Sequence, residues 1–235
     1  MDITPRKTAV IVIIFEAAMA LTAISAGMAA GNPAKYFGEF TFITWFSFFQ
    51  LLFLSMLSHK ISTVRSSSEK HNGLRSAGVF WNFAFFGFFF LALDELVMIH
   101  EVGDILIHTV FNIEETGLTD RLDDLFLCSY GIIGLIVLYL FIGELKKYRA
   151  AAPFVVIGFI LFFFMVATDT ATNRDDVLTL LFADPHRVSI IKTWSYVVED
   201  YLKILGEGFF IAALFVVLQQ ARHFPRNAVS SGPGE

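Results

Sequence analysis

Six apolar stretches dominate this sequence, and each is about as long as a membrane-spanning helix. The hydrocarbon core of a bilayer is crossed by about 20 residues of α-helix. Runs of that length occur at residues 8–30, 37–58, 77–99, 125–143, 151–168 and 194–219. Of the 235 residues, 56% are hydrophobic and 28 are Phe, more apolar than a typical soluble domain. The sequence therefore predicts an all-α, polytopic integral membrane bundle of six transmembrane helices.

The stretches are predicted to form a single transmembrane domain, residues 1–220. Polar segments such as GNPAK and SSSEKHNG separate them, as is typical of loops. The first stretch follows Arg6 and Lys7, as a signal peptide would, but it is long for one and carries Glu16 in its middle. We therefore interpret it as a retained helix. Residues 221–235 are polar and predicted to be a disordered cytoplasmic tail.

Basic residues cluster on one side of the predicted bundle. Most of the 17 Lys and Arg residues lie before the first stretch, in the second and fourth loops, and after the last stretch. Cytoplasmic loops of membrane proteins carry this excess of positive charge. The sequence therefore predicts that both termini are cytoplasmic, which agrees with an even number of helices.

With that orientation, acidic and histidine side chains collect at the outer ends of four stretches. A charged side chain at the bilayer centre costs about 2.5–3.5 kcal/mol on insertion scales, and less toward the interface. Acids near a helix end often only meet the interface, whereas acids followed by further apolar residues indicate a function. The residues are Asp94, Glu95, His100 and Glu101 in the third stretch, Asp123 and Asp124 before the fourth, Asp169 in the fifth, and Glu199 and Asp200 in the sixth.

Histidine and carboxylate side chains from several helices are the ligands that iron, zinc and manganese bind. We therefore predict a divalent metal ion and a metal-dependent enzyme acting on a lipid or other hydrophobic substrate at the outer leaflet. Asp94 and Glu101 are seven residues apart and would share one face of a continuous helix. The predicted metal ligands are His100, Glu101, His108 and Asp169, and the predicted catalytic residues are Asp94, Glu95, Glu199 and Asp200.

Three ionisable residues lie deeper in the predicted bundle. Glu16 is in the middle of the first stretch, and Lys203 and Glu207 are in the last. Lys203 and Glu207 are four residues apart and can pair on one helix face. We interpret these residues either as a buried ion pair that fixes helix packing or as a proton path between Glu16 and Glu207.

Two other functions would use the same residues. Intramembrane acids with a histidine are also the parts of a proton or cation relay, so transport is an alternative. Transporters often show internal repeats or helices broken by Gly and Pro, and no repeat is visible here. The third hypothesis is a non-catalytic subunit of a larger membrane complex or oligomer, in which the acids serve docking.

Several classes of function are disfavoured. The net charge of −5 and the lack of a basic arm argue against a nucleic-acid partner. The sequence has no G-x-S-x-G, P-loop or Rossmann signature. Its single cysteine, Cys128, excludes an intrachain disulfide and a cysteine-rich metal motif.

The strings LDELVMIHE in the third stretch and EDYLKILG in the last resemble a group of uncharacterised bacterial membrane proteins. In that group the third of six helices ends in LDE-x4-HE, and the last helix opens with an acidic pair followed by a glycine. Asp200 stands here where the group is expected to have a second Glu. The resemblance implies a multi-pass protein of the bacterial inner membrane and one shared site. It implies no activity.

Overall fold

The computed structural model describes residues 4–67, 76–112, 122–172 and 175–223. These residues form helices joined by turns and short loops, with no β-strand among them. A single turn of 3-10 helix, Lys146–Tyr148, follows the short sixth helix. The α-helices are α1 Pro5–Ala29, α2 Phe42–Ser66, α3 Ala77–Val97, α4 Ile99–Phe111, α5 Leu122–Leu140, α6 Ile142–Leu145, α7 Ala152–Thr172, α8 Asp175–Leu181 and α9 Pro185–His223.

Five of these helices, α1, α2, α3, α7 and α9, are long and apolar enough to cross a membrane. A sixth span is formed within the described residues if α5 and the segment after it, bent by 71°, are taken as one crossing. The predicted all-α bundle is therefore confirmed for the described residues, and its long apolar helices are those expected of a multi-pass membrane protein. From residue 224 onward the predicted tail lies outside the described residues, while residues 221–223 complete α9.

The helix starts that differ most from the predicted stretches are those of α2 and α9, and each has a local cause. Helix α2 begins at Phe42 rather than at residue 37, because Gly38 and Phe40 adopt positive φ angles of 89° and 54° that end regular backbone there. Helix α9 begins at Pro185, nine residues earlier than predicted. Asp184 precedes it and accepts the His186 backbone N–H at 3.0 Å, which is a capping arrangement with Pro at the first helical position.

The third predicted stretch is divided at Met98. Met98 has φ 53°, a left-handed conformation that costs a non-glycine residue energy, and it separates α3 from α4. Asp94 compensates by accepting the backbone N–H of His100 at 3.0 Å in the first turn of α4. Asp94 and Glu101 consequently lie on two different helices, so the prediction that they share one face of a continuous helix is wrong.

Helix α9 is the centre of the packing, with α1, α2 and α7 against it and α3 against α2. The core contains apolar side chains such as Leu54, Trp81 and Ala212. Large apolar side chains also cover the outside, among them Phe86 and Phe163. Their exposure is expected where the surroundings are lipid.

Two glycines let neighbouring helices approach α9 closely. A Cβ atom at Gly206 would lie 3.0 Å from the ring of Phe162 on α7. One at Gly208 would lie 2.8 Å from Glu16 Oε1 on α1. Small residues at helix interfaces allow such close backbone approach in membranes. Glu207 is therefore enclosed by α7 and α1 as well as by α2.

Candidate functional site

Two glutamates lie inside the bundle with almost no exposed surface. Glu16 is near the middle of α1 and 2% exposed, and Glu207 on α9 is 1% exposed. The carboxyl group of Glu16 lies against Gly208, the residue next to Glu207. We call Glu16 and Glu207 the carboxylate pair. Both were predicted from the sequence as deep ionisable groups.

Helix α2 supplies one neutral donor to each member of the pair. Gln50 Nε2 donates to Glu16 Oε1 at 2.6 Å, and Ser47 Oγ donates to Glu207 Oε1 at 2.7 Å. Ser47 and Gln50 are three residues apart, so they lie on one helix face. Sequence reasoning missed them. The sequence signal that could have found them is the spacing of polar residues within the Phe-rich run of α2, which places them on one helix face.

A cluster of one cation and two carboxylates lies beside the pair. Lys203 Nζ is 2.8 Å from Glu95 Oε1 and 2.9 Å from Asp200 Oδ1. The second oxygen of Asp200 accepts the Gly38 backbone N–H at 2.6 Å. Lys203 therefore pairs with Glu95 and Asp200 rather than with Glu207, its predicted partner. We call Glu95, Asp200 and Lys203 the charge cluster, and the end of the bundle where it lies the Asp200 end.

The break at Met98 brings Asp94 and His100 together. Nδ1 of His100 lies 3.0 Å from Asp94 Oδ2, while Asp94 Oδ1 accepts the His100 backbone N–H. Nε2 of His100 lies 4.0 Å from Glu101 Oε1. Asp94 is buried and His100 half-buried. A carboxylate bonded to Nδ1 fixes the orientation of the imidazole ring, whichever partner Nε2 has.

The remaining predicted site residues lie on three different helices. His108 is buried on α4, with Nε2 3.2 Å from Asp104 Oδ1. Asp169 is half-buried near the end of α7, and Glu199 is half-buried beside Asp200 on α9. Nowhere among the described residues do three or more His, Cys, Asp or Glu side chains converge so as to hold a metal ion. The predicted metal centre therefore stays a prediction.

Buried polar side chains follow one side of α2 along its whole length. From Thr44 to Arg65 they span 22 residues, about 30 Å of helix axis at a rise of 1.5 Å per residue. That length matches the hydrocarbon thickness of a bilayer. Toward the Asp200 end they face the carboxylate pair, and further along Ser55 and Ser62 donate to backbone oxygens of α3. The set is Thr44, Ser47, Gln50, Ser55, Ser58, Ser62 and Arg65.

A second buried ion pair closes the opposite end, which we call the Arg65 end. The Arg65 guanidinium binds Glu144 through Nε at 2.8 Å and Nη2 at 3.1 Å. Trp81 Nε1 and Tyr148 Oη also donate to Glu144, at 3.4 and 3.1 Å. Lys147 Nζ donates to Oε2 of Glu144 at 2.6 Å. Such a satisfied network is typical of a structural contact between α2, α3 and α6.

The carboxylate pair differs from this network in one respect. A buried ionised carboxylate is tolerated when a cation or several donors compensate it. Among the residues that the structure describes, each member of the pair instead receives one hydrogen bond, from an uncharged side chain. Groups placed in this way are suited to binding a proton or another cation reversibly.

These features describe an all-α bundle of long apolar helices, as expected of a multi-pass membrane protein, with acidic side chains enclosed in it. The chain belongs to the family described as Domain of unknown function (DUF8692), whose model matches residues 8–218. No curated protein and no solved structure matches the chain. The expected membership of an uncharacterised family is thereby confirmed, while the LDE-x4-HE motif and the bacterial origin stay predictions.

Proposed function

We propose that this protein moves a cation across the membrane, using the carboxylate pair as its carrier site. The observation that carries the proposal is the burial of Glu16 and Glu207 in the middle of membrane helices, each with a single uncharged hydrogen-bond donor. Keeping a bare carboxylate there costs free energy, which a bound proton or metal cation relieves. Ionisable residues that face a bundle interior commonly mark ion pathways.

The charge cluster supports the proposal by connecting the pair to the Asp200 end. Asp200, Lys203 and Glu207 follow one another at positions i, i+3 and i+7 of α9, so they share a face. Lys203 contacts Asp200 and Glu95 and lies within electrostatic range of Glu207. A cation entering from this end would meet carboxylates at successive depths along that face.

We further propose that the Arg65 end faces the cytoplasm of a bacterial inner membrane, as the basic loops predict. A reporter that is active only in the cytoplasm should then function when fused after Arg149 or after Arg226. Fused within residues 114–120 it should be inactive. The reverse pattern of activities would contradict the orientation.

Ion flux into proteoliposomes tests the proposed function. A potassium diffusion potential, negative inside, should drive cation uptake by the wild-type protein, followed with an internal pH dye and with radioactive sodium. Glu207→Gln should reduce uptake to that of protein-free liposomes, because glutamine cannot ionise. It keeps the side-chain volume and an acceptor for Ser47, so the variant is expected to fold.

Glu39→Gln is the matched control, because Glu39 is an exposed carboxylate outside the carboxylate pair. Its uptake should equal that of the wild type. Equal uptake by Glu207→Gln and Glu39→Gln would overturn the proposal, as would a wild type no faster than empty liposomes.

The metal-dependent enzyme is a second candidate, favoured by the contact between Asp94 and Nδ1 of His100. Metal-binding histidines commonly have their second ring nitrogen anchored by a carboxylate in this way. The function that fits the geometry better is cation movement, because the hydrogen bonds of Glu16 and Glu207 come from Gln50 and Ser47 and not from a histidine. The enzymatic function and its divalent metal ion stay predictions.

A further inference from the structure

Three oxygen atoms around the carboxylate pair are buried and have no hydrogen-bond partner in the described ranges of the chain. They are Glu16 Oε2, Gln50 Oε1 and Glu207 Oε2. Buried polar atoms in proteins are almost always satisfied, so an exception needs an explanation. All three atoms are acceptors, and the nearby donors, Gln50 Nε2 and Ser47 Oγ, are already used. Within the described part of the chain, these three atoms therefore have neither a donor nor a cation in direct contact.

The three atoms belong to side chains that already meet one another. Gln50 joins α2 to Glu16 on α1, and Ser47 joins α2 to Glu207 on α9. Gly208 brings α1 against α9 at this level. Three helices thus present carboxylate, amide and hydroxyl oxygens to one enclosed place.

The ligand chemistry narrows the identity of the missing partner. Oxygen-only ligands favour hard cations over zinc, copper or iron, which prefer nitrogen and sulfur. Magnesium and calcium need six or more oxygen ligands, and magnesium retains several waters. The enclosed place offers few oxygens, those of Ser47, Gln50 and the carboxylate pair. The Lys203 ammonium lies within electrostatic range of Glu207. Its positive charge repels a doubly charged ion more strongly than a singly charged one.

We propose that Glu16, Ser47, Gln50 and Glu207 form a sodium-binding site. One ion would contact all three unpartnered oxygens together, with Ser47 Oγ turning a lone pair toward it. This inference rests on the proposed function and names the cation that is carried. Protons would then compete for the two carboxylates rather than be the sole ligand.

Equilibrium binding of radioactive sodium to the full-length protein in detergent tests the site. The wild type should bind sodium saturably when choline keeps the ionic strength constant. Gln50→Leu removes the amide oxygen and leaves both carboxylates in place. It should weaken sodium binding by at least about tenfold, the loss expected for one bond to a charged partner.

Gln220→Leu is the matched control. Gln220 also has a buried amide oxygen without a hydrogen-bond partner, but it lies 13 residues beyond Glu207 on α9, about 20 Å along the axis. Its sodium affinity should equal that of the wild type. Stabilisation by sodium in thermal unfolding gives a second readout, because a ligand of the folded state raises the melting temperature.

Absence of saturable sodium binding by the wild type would overturn the site, as would equal weakening by Gln50→Leu and Gln220→Leu. If proteoliposomes take up protons but the protein does not bind sodium, the sodium site is refuted and the proposed transport function is retained. If the protein binds sodium but no cation crosses the membrane, the sodium site is retained and the transport function is refuted.

Discussion

Glu144→Ala is expected to lower the free energy of unfolding by about 3–5 kcal/mol, the cost of removing one partner from a buried ion pair. The side chains of Arg65 and Glu144 are only 6% and 5% exposed. The substitution withdraws the carboxylate on which the Arg65 guanidinium, the Trp81 indole and the Tyr148 hydroxyl converge. Titration of detergent micelles with SDS, followed by Trp fluorescence, would measure the loss.

Lys147→Ala provides the control for this prediction. Lys147 contacts the same carboxylate, but its side chain is 40% exposed. Exposed ion pairs contribute about 0–1 kcal/mol, so the variant should unfold close to the wild type. Losses of equal size in the two variants would mean that burial does not set the strength of this contact.

Gly208→Leu is expected to destabilise the bundle by about 1–3 kcal/mol, the usual cost of overpacking a filled interior. Even a single Cβ at this position would lie 2.7 Å from Val12 Cγ1 and 2.8 Å from Glu16 Oε1. Leucine must therefore push α1 away from α9. The same SDS titration measures the loss of stability, and sodium binding should weaken with it because Glu16 moves.

Gly131→Leu is the appropriate comparison, because a Cβ at Gly131 meets no atom within 4 Å. It replaces a helical glycine by the same side chain without a clash, and leucine is the better helix former, so the variant should be no less stable than the wild type. A Gly208→Leu variant as stable as Gly131→Leu would show that α1 and α9 are not in close contact.

The spans were predictable because each apolar run is long enough to cross a bilayer without reference to any other segment. The start of α9 was harder to predict, because polar and apolar residues alternate irregularly from Pro185 to Thr193. Asp184 and Pro185 nevertheless carry a recognisable helix-start signal. The division at Met98 has no Gly or Pro to mark it, and it depends on the contact from Asp94 to His100 that only the folded chain makes.

The candidate site was predictable in its residue types but not in its pairing. Lys203 and Glu207 satisfy the i,i+4 rule, yet Lys203 bonds Glu95 on another helix and Asp200 one turn earlier. Spacing along one helix cannot reveal a partner that packing brings from a distant part of the chain. Ser47 and Gln50 are uncharged and stand among phenylalanines, so their role depends on the glutamates that face them.

The line of polar side chains on α2 also bears on how the chain enters the membrane during synthesis. Alone in lipid, α2 would expose Gln50, Arg65 and several hydroxyl groups to hydrocarbon, which weakens its insertion. Ser55 and Ser62 find acceptors on the backbone of α3, the next segment to be made. The two helices are thus suited to leave the translocation machinery together as a hairpin. Glu207 would gain its α2 partner, Ser47, only when α9 arrives, whereas Glu16 and Gln50 can meet once α1 and α2 are made.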